Sequence, residues 1–212
     1  FRAAFIACAF AVIFVKMPFG GVGKSPFNPA AAGIAFVTLA FPKEIFTYRD
    51  PLSAQSMEPF SRTVDVQTAL SPAALLKIGA RPSIMPDEML FGRFAGPMGT
   101  TAILVIAACA VFLLFRRTVR WENMISFVGT VMLFAALFPR LETGRVDSVM
   151  FEMMSGSIAF CAVFMLSEPG TSPKLPFARC LYGMFCGVLT MLFRYFGAFE
   201  QGVCFAILLA NA

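Results

Sequence analysis

The stretch Met17-Pro-Phe-Gly-Gly-Val-Gly-Lys-Ser-Pro-Phe-Asn-Pro-Ala-Ala-Ala-Gly33 separates two apolar segments and consists largely of residues that interrupt helices. Inside a membrane, each backbone N–H or C=O group without a hydrogen bond costs several kcal/mol. Glycines and prolines at that depth therefore need shelter from protein or a polar cavity, and interrupted helices of this kind indicate a binding site. The alternative is an ordinary re-entrant turn or interfacial loop that binds nothing.

The composition of the 212-residue chain is that of an integral membrane protein. Apolar residues make up 58% and the mean hydropathy is +0.78, whereas globular proteins are roughly 45–50% apolar. The expected fold class is all-α, a polytopic helical bundle with broken or half helices that forms one transmembrane domain over residues 1–212. Because the sequence begins and ends within apolar runs and lacks an initiator Met, we expect an internal piece of a longer chain without its terminal helices.

Residue types exclude several classes of function. The net charge of +5 comes from 17 Lys and Arg dispersed over many loops, without a basic run that would follow a phosphate backbone, so nucleic acid is not expected as a partner. Histidine, the commonest general base and transition-metal ligand, is absent from the sequence. The six cysteines form no Cys-x-x-Cys pair, so we assign no metal site and no catalytic residue and expect buried free thiols.

Seven apolar segments predict the helices of the bundle: 1–15, 29–41, 101–115, 125–138, 149–166, 177–193 and 202–212. The second has only about thirteen residues, whereas a membrane span needs about twenty, so it should be a half-helix or tilted. Asn28 is its predicted N-cap and Pro29 its first helical residue. Its amino end would face whatever the glycine-rich turn encloses, and helix amino ends favour anions such as phosphate.

Residues 42–98 are predicted to lie outside the membrane as loops and short helices, because they are polar and rich in proline. Ser71, followed by Pro72, predicts the N-cap of one short helix. The positive-inside rule makes the basic turn 116–120 cytoplasmic, and alternation then puts Ser71 on the extracytoplasmic side. A second Gly/Pro-interrupted element, at 167–173, indicates weak structural repetition between the two halves.

Five colinear motifs resemble the RnfD/NqrB family, most closely RnfD. They are Gly20-Gly-x-Gly-x-x-x-Phe-Asn-Pro-Ala30, the segment Asp65 to Pro72, Trp121-x-x-x-x-Ser-Phe-x-Gly-Thr-Val131, the Ser155-Gly156 helix that ends in Ser167-Glu-Pro-x-Thr171, and Gly202-Val-x-Phe-Ala-x-Leu-Leu-x-Asn211. The resemblance covers essentially the whole chain and implies an inverted-repeat architecture.

The resemblance implies a membrane flavoprotein subunit of the Rnf complex, which transfers electrons between reduced ferredoxin and NAD and couples this to transport of Na⁺ or H⁺. The expected partners are the other membrane and peripheral subunits of such a complex and the lipid bilayer, in the inner (cell) membrane of a bacterium or archaeon. Members of the family are similar in carrying FMN joined by a phosphodiester to a Thr before Pro, in a motif like Asp-x-x-[Ser/Thr]-Gly-Ala-Thr-Pro.

The corresponding frame in this chain is Asp65-Val-Gln-Thr-Ala-Leu-Ser-Pro72, with Ser71 at the acceptor position. Thr68, at the motif's first hydroxyl, is a second and weaker candidate acceptor. Because Ala69-Leu70 replaces Gly-Ala, several alternatives remain. FMN is attached covalently to Ser71, a flavin is bound noncovalently, the flavin has been lost, or the hydroxyls serve only as helix caps. Riboflavin or a second flavin is a further possibility. We assign Asp65 to the flavin-site motif.

The glycine-rich turn is expected to complete the same site, because its backbone N–H groups and the Asn28 cap would stabilise a reduced, anionic flavin. Lys24 either adds a positive charge there or extends to the lipid headgroups. The candidate cofactor-binding residues are therefore Ser71, Thr68, Asp65, Gly21, Gly23, Lys24 and Asn28.

A further departure from the family is Thr100, where relatives show Glu. The resemblance therefore does not identify the acidic residue that takes part in ion coupling. Glu152 and Glu168 are the other acids near apolar segments. Two rival functions remain: a small-solute channel or transporter with a broken-helix midplane site, and a flavin-less scaffold subunit of the same complex.

Overall fold

The computed structural model describes residues 2–21, 23–49, 68–97, 99–141 and 144–212. Within those ranges the chain is helical apart from one antiparallel pair of two-residue strands, β1 (Tyr48–Arg49) and β2 (Thr68–Ala69). The α-helices are α1 (Arg2–Phe10), α2 (Pro29–Ala40), α3 (Pro42–Ile45), α4 (Pro72–Lys77), α5 (Pro86–Leu90), α6 (Ile103–Phe115), α7 (Trp121–Leu137), α8 (Arg145–Met154), α9 (Ile158–Phe160), α10 (Pro176–Phe196) and α11 (Val203–Asn211). Two π-helical segments continue α-helices: Ala11–Lys16 follows α1, and Cys161–Met165 follows α9.

Most of the predicted helices are confirmed, but α7 begins earlier than the sequence indicates. The apolar signal starts at residue 125, whereas the first residue of the helix is Trp121. The polar residues of the first turn can be helical because they find partners on other elements: Glu122 pairs with Arg179 at 3.5 Å, and Asn123 donates to Ser172 Oγ at 2.6 Å.

The predicted span 149–166 is wrong as one helix. The structure divides it into α8 and α9, which are bent by 65° at the intervening residues. Ser155 there has an extended backbone, and Gly156 adopts φ +71°, a conformation that favours glycine. The small residues at 155–157 therefore break the helix.

Several helices present a surface suited to lipid. In α6 only Ile106 is buried among its thirteen residues, while Val111 is 68% and Phe115 87% exposed. Such a continuous apolar surface would cause aggregation in water. Within the part of the chain that the structure describes, α10 is the one single helix long and apolar enough to cross a membrane, and α8 with α9 passes the same test as a bent pair.

The main core lies where α10 packs along α7 and α11, around residues such as Phe127, Cys186 and Ile207. A second, smaller core lies under the segment 68–102 and includes Leu76 and Met89. All six cysteines are free thiols, as predicted, but only two of them are buried, and Cys8 is exposed on α1.

The connections between the long helices gather at two ends of the bundle. At the Asn28 end, defined by residues 17–28 and 166–175, Asn28 Nδ2 donates to the Met165 carbonyl at 2.9 Å. At the Ser71 end, defined by residues 41–49, 68–102 and 194–202, Ser71 contacts Glu200, which follows the last turn of α10. The 21 residues of α10 separate the two ends by about 30 Å at 1.5 Å per residue.

Candidate functional site

Ser71 lies in a buried polar group that we call the Ser71 cluster, formed by Tyr48, Ser71, Glu200 and Gln201. As predicted, Ser71 is the N-cap of α4, because its Oγ accepts a hydrogen bond from the Ala74 N–H at 3.0 Å. The same hydroxyl donates to Glu200 Oε2. Ser71 is only 3% exposed and Glu200 8%, so both are withdrawn from the surface.

Tyr48 and Gln201 close the Ser71 cluster on the side of the small sheet. Tyr48 pairs with Ala69 across the two strands, and its hydroxyl accepts a hydrogen bond from Gln201 Nε2 at 3.2 Å. Burial raises the pKa of Tyr48 far above its usual value, and the charge of the neighbouring Glu200 adds to this shift. The phenol is therefore neutral at physiological pH.

A second buried group, the Arg194 cluster, is formed by Arg140, Glu152, Ser155 and Arg194. Glu152, fully buried, lies 3.3 Å from both Arg140 Nη1 and Arg194 Nη2. Arg194 also donates to the carbonyl of Glu152 at 3.2 Å and to Ser155 Oγ at 2.7 Å. It thus satisfies groups left without helical partners where α8 ends. Burial lowers the pKa of Arg140, although the charge of Glu152 opposes that shift.

The two clusters are neighbours across Gly156. A Cβ atom at Gly156 would lie 3.7 Å from Ala73 Cβ and 3.9 Å from both Arg194 Nη2 and Gln201 Cγ. The break between α8 and α9 therefore lies against the start of α4. The two clusters together contain two arginines and two carboxylates, and the guanidinium of Arg194 is occupied by Glu152 and Ser155.

The glycine-rich turn lies at the other end. Gly21 N–H donates to the Lys16 carbonyl at 3.2 Å, and Lys24 N–H to the Gly21 carbonyl at 3.5 Å, so these two donors are used within the turn. Gly23 lies against the second interrupted element, because a Cβ on Gly170 would come within 3.5 Å of Gly23 Cα. The two interrupted elements therefore meet each other.

Asn28 joins these interrupted elements through both atoms of its side-chain amide. Its Oδ1 caps α2 by accepting from the Ala31 N–H at 3.1 Å, as predicted, and its Nδ2 reaches Met165. In the following loop, burial raises the pKa of Glu168, and the charge of Lys16 opposes this shift. Asn28 thus holds α2 against the end of the α9 segment, while the Lys24 side chain is exposed.

The prediction that the glycine-rich turn and Ser71 enclose one cofactor is wrong. Gly21, Gly23, Lys24 and Asn28 lie together at the Asn28 end, whereas Ser71 contacts Glu200 beyond the far end of α10. The physical reason is the length of the intervening helices, since α2 alone rises about 18 Å from residue 29 to residue 40.

The remaining predicted residues have separate outcomes. Thr68 is the first residue of β2 and pairs with Arg49. It lies three residues before Ser71 in the sequence. Asp65 lies outside the described residues. Thr100 is buried and donates its hydroxyl to the Pro97 carbonyl at 3.0 Å, so it stabilises a local turn.

The surroundings of Ser71 do not fit a phosphodiester. Esterification would remove the proton that Ser71 donates to Glu200, and it would place a phosphate anion against that buried carboxylate. Glu200 Oε1 already lacks a hydrogen-bond partner among the described residues. The ammonium group of Lys77 donates instead to the Ala198 carbonyl. The helix that begins here has only six residues, so it offers the phosphate little of a helix dipole.

A cavity of about 340 Å³ opens between α6, α7 and α9, lined wholly by apolar residues that include Ile106, Val128, Met132 and Val163. It offers none of the hydrogen-bonding groups that a flavin ring or a solvated ion requires. The cavity is suited to a lipid chain or an apolar helix.

Glu200, Arg140 and Arg194 were not predicted from the sequence as members of the Ser71 and Arg194 clusters. The signal for Arg194 was present, since it is a charged residue at the end of a long apolar segment, where such groups are costly without a partner. Glu200 carried less signal, because a Glu between two apolar segments is typical of an exposed loop. Its partner lies 129 residues away in the sequence.

Known proteins resemble this chain over nearly its whole length. The sequence model of the NQR2, RnfD, RnfE family matches residues 2–212. A protein of Erwinia tasmaniensis, named as the D component of an ion-translocating oxidoreductase complex, is 29% identical over 233 residues, covering 97% of this chain and 66% of that protein. Proteins of the same name from Salmonella arizonae and Ectopseudomonas mendocina are 28% and 26% identical, and the match covers 66% and 63% of their lengths. The chain thus spans somewhat less than two thirds of these relatives.

Proposed function

Because this chain belongs to the NQR2, RnfD, RnfE family, we propose that it is a membrane subunit of an Rnf-type ion-translocating oxidoreductase complex. It would act as one component of a translocase, together with other membrane and peripheral subunits, in the cell membrane of a bacterium or archaeon. The observation that carries this proposal is the family match, which extends from residue 2 to residue 212 without leaving out any helix.

The fold supports the membrane part of this proposal. Apolar side chains cover the outside of α6, and apolar helices connect two polar ends. The buried charges of the Arg194 cluster lie at one of those ends, where a charged group next to the apolar region is a functional candidate. We also propose that the complex passes electrons and couples this electron transfer to transport of Na⁺ or H⁺ across the membrane.

We further propose that this subunit binds a flavin, as the resemblance to the family suggests. Since the surroundings of Ser71 do not fit a phosphodiester, we place the flavin of this subunit in noncovalent contact, with no bond to Ser71. A flavin-less scaffold subunit is the second candidate, and it is favoured by the replacement of Gly-Ala by Ala69-Leu70 and by Thr100 in place of Glu.

The complex is tested by tagging the full-length chain in its native host and purifying it from the membrane in mild detergent. We expect other subunits to co-purify with oxidoreductase activity between reduced ferredoxin and NAD, and this activity to be lost from membranes when the gene is deleted. If the chain purifies without redox partners and its deletion leaves that activity intact, the proposal fails. A solute flux through vesicles that contain the chain alone would favour the transporter.

The flavin is tested on the subunit separated from the complex in mild detergent. A noncovalent flavin gives visible absorbance that leaves the protein on denaturation. Absence of flavin absorbance from a folded subunit identifies the scaffold, and absorbance that stays with the denatured chain identifies covalent attachment.

A further inference from the structure

Under the proposed function, Ser71 is the residue to which the resemblance predicts that FMN is attached. We infer that Glu200 prevents Ser71 of this chain from carrying a flavin, because its carboxylate holds the serine hydroxyl as a buried hydrogen-bond donor. Ser71 is then a structural residue that joins the start of α4 to the segment between α10 and α11. This role differs from that of the acceptor residue in the motif it resembles.

The burial of the hydroxyl opposes its attachment to a flavin. Transfer of FMN from FAD would form a bond between phosphorus and Ser71 Oγ, break a P–O bond of the pyrophosphate with AMP as leaving group, and pass the Oγ proton to a base. In this structure the oxygen accepts from Ala74 N–H, and its proton points to Glu200. Ser71 is 3% exposed, so its hydrogen bond to Glu200 must open before Oγ can reach a pyrophosphate bound to another protein.

The product would be unfavourable as well. A serine ester has no proton to donate, so Glu200 Oε2 would lose its partner, and Oε1 has none among the described residues. A buried carboxylate that has lost a donor and lies next to a new anion is costly. Glu200 would have to keep the proton that Ser71 loses, or be displaced, for the ester to be accommodated.

Neighbouring contacts oppose that displacement. The residue after Glu200, Gln201, is bonded to Tyr48, and Tyr48 is fixed by its pairing with Ala69. On the other side, Lys77 binds the carbonyl of Ala198. The backbone around Glu200 is therefore tied to both β1 and α4.

The test distinguishes the effect of the Glu200 carboxylate on flavin attachment from the effect of the altered motif. The chain is expressed in cells that hold a flavin transferase, FAD and, as positive control, a subunit with the family's full Gly-Ala-Thr-Pro motif. The peptide containing residue 71 is then weighed by mass spectrometry, and covalent flavin is read from fluorescence in a denaturing gel. The variants are Ala69→Gly/Leu70→Ala alone and the same pair with Glu200→Ala, with Glu200→Gln, or with Glu44→Ala, an exposed acid that serves as the matched control.

We expect no flavin on the wild-type chain, on the Ala69→Gly/Leu70→Ala chain or on its Glu44→Ala derivative, and flavin on the derivatives in which Glu200 is replaced. Glu200→Gln keeps the shape of the side chain and removes its charge, so it serves if Glu200→Ala does not fold. Each variant is checked for folding by its melting temperature in detergent.

Flavin on Ser71 while Glu200 is present overturns the inference. So does a folded Glu200 variant with the repaired motif that remains free of flavin. Neither result removes the chain from the complex, because co-purification of the other subunits is measured separately.

Discussion

Arg194 is the residue on which the junction between α8 and α9 depends most. It is 2% exposed, lies 3.3 Å from the Glu152 carboxylate and donates to the Ser155 hydroxyl at 2.7 Å. A guanidinium can make all of these contacts at once because its donors lie in a rigid plane. Its removal would leave Glu152 with Arg140 as the one remaining cation of the cluster.

We predict that Arg194→Met lowers the free energy of unfolding by about 3 kcal/mol, because it leaves the buried Glu152 carboxylate with one cation in place of two and the end of α8 without its hydrogen-bond donor. Unfolding in mixed detergent micelles measures the change. Arg145→Met, at an exposed arginine on the first turn of α8, is the matched control and should change stability by less than about 0.5 kcal/mol.

Two further results bear on the Arg194 prediction. Arg194→Met combined with Glu152→Gln should be less destabilised than Arg194→Met alone, because the buried charge of Glu152 is removed while Arg140 keeps its contact with the Tyr195 ring. Equal losses in the Arg194 and Arg145 variants would show that the ion pair has no structural role.

At the scale of residues, local roles were predictable and distant partners were not. Asn28 and Ser71 were identified as N-caps because the residue type and the following proline determine a cap within one turn. Their other partners, Met165 and Glu200, are 137 and 129 residues away. Such contacts depend on how the helices pack, which local pattern does not report.

At the scale of elements, α7 and α10 approach closely through two glycines. A Cβ on Gly183 would lie 2.0 Å from Ser126 Oγ and 2.7 Å from the Asn123 carbonyl, and one on Gly187 would lie 2.9 Å from Thr130 Cβ. Small residues at such positions let helix backbones approach each other, which is a common way of packing helices in membranes.

We predict that Gly183→Ala lowers the free energy of unfolding by about 1–3 kcal/mol, because the methyl group overlaps backbone that cannot move without separating the helices. Gly129→Ala is the matched control on α7, since a Cβ there meets nothing within 4 Å. Alanine in a helix is favoured over glycine, so this control should leave stability unchanged or raise it by up to about 1 kcal/mol. If the two variants behave alike in micelles, the close approach of α7 and α10 is wrong.

The break between α8 and α9 shows why element boundaries are harder to predict than elements. Ser155-Gly156-Ser157 is compatible with a continuous helix and with a break. The break is stable because Arg194, from α10, satisfies the exposed carbonyl and hydroxyl groups. The deciding group thus lies outside the segment whose pattern was interpreted.

At the scale of the whole molecule, the order of the helices followed from hydrophobic runs, but the arrangement of the site did not. The interrupted elements were expected to converge with Ser71, yet they meet each other at the Asn28 end. The twelve residues of α2 already imply a separation of about 18 Å. Glycine and proline mark where helices break, whereas helix length determines which breaks can meet.

We predict that the Asn28 end and the Ser71 end lie on opposite sides of a membrane, so that no single cofactor bridges them. Single cysteines at two exposed positions, Lys24→Cys and Ser83→Cys, are introduced into a cysteine-free chain in sealed membrane vesicles. A membrane-impermeant maleimide should modify Lys24→Cys only from the cytoplasmic face and Ser83→Cys only from the opposite face. Modification of both cysteines from the same face would contradict the account.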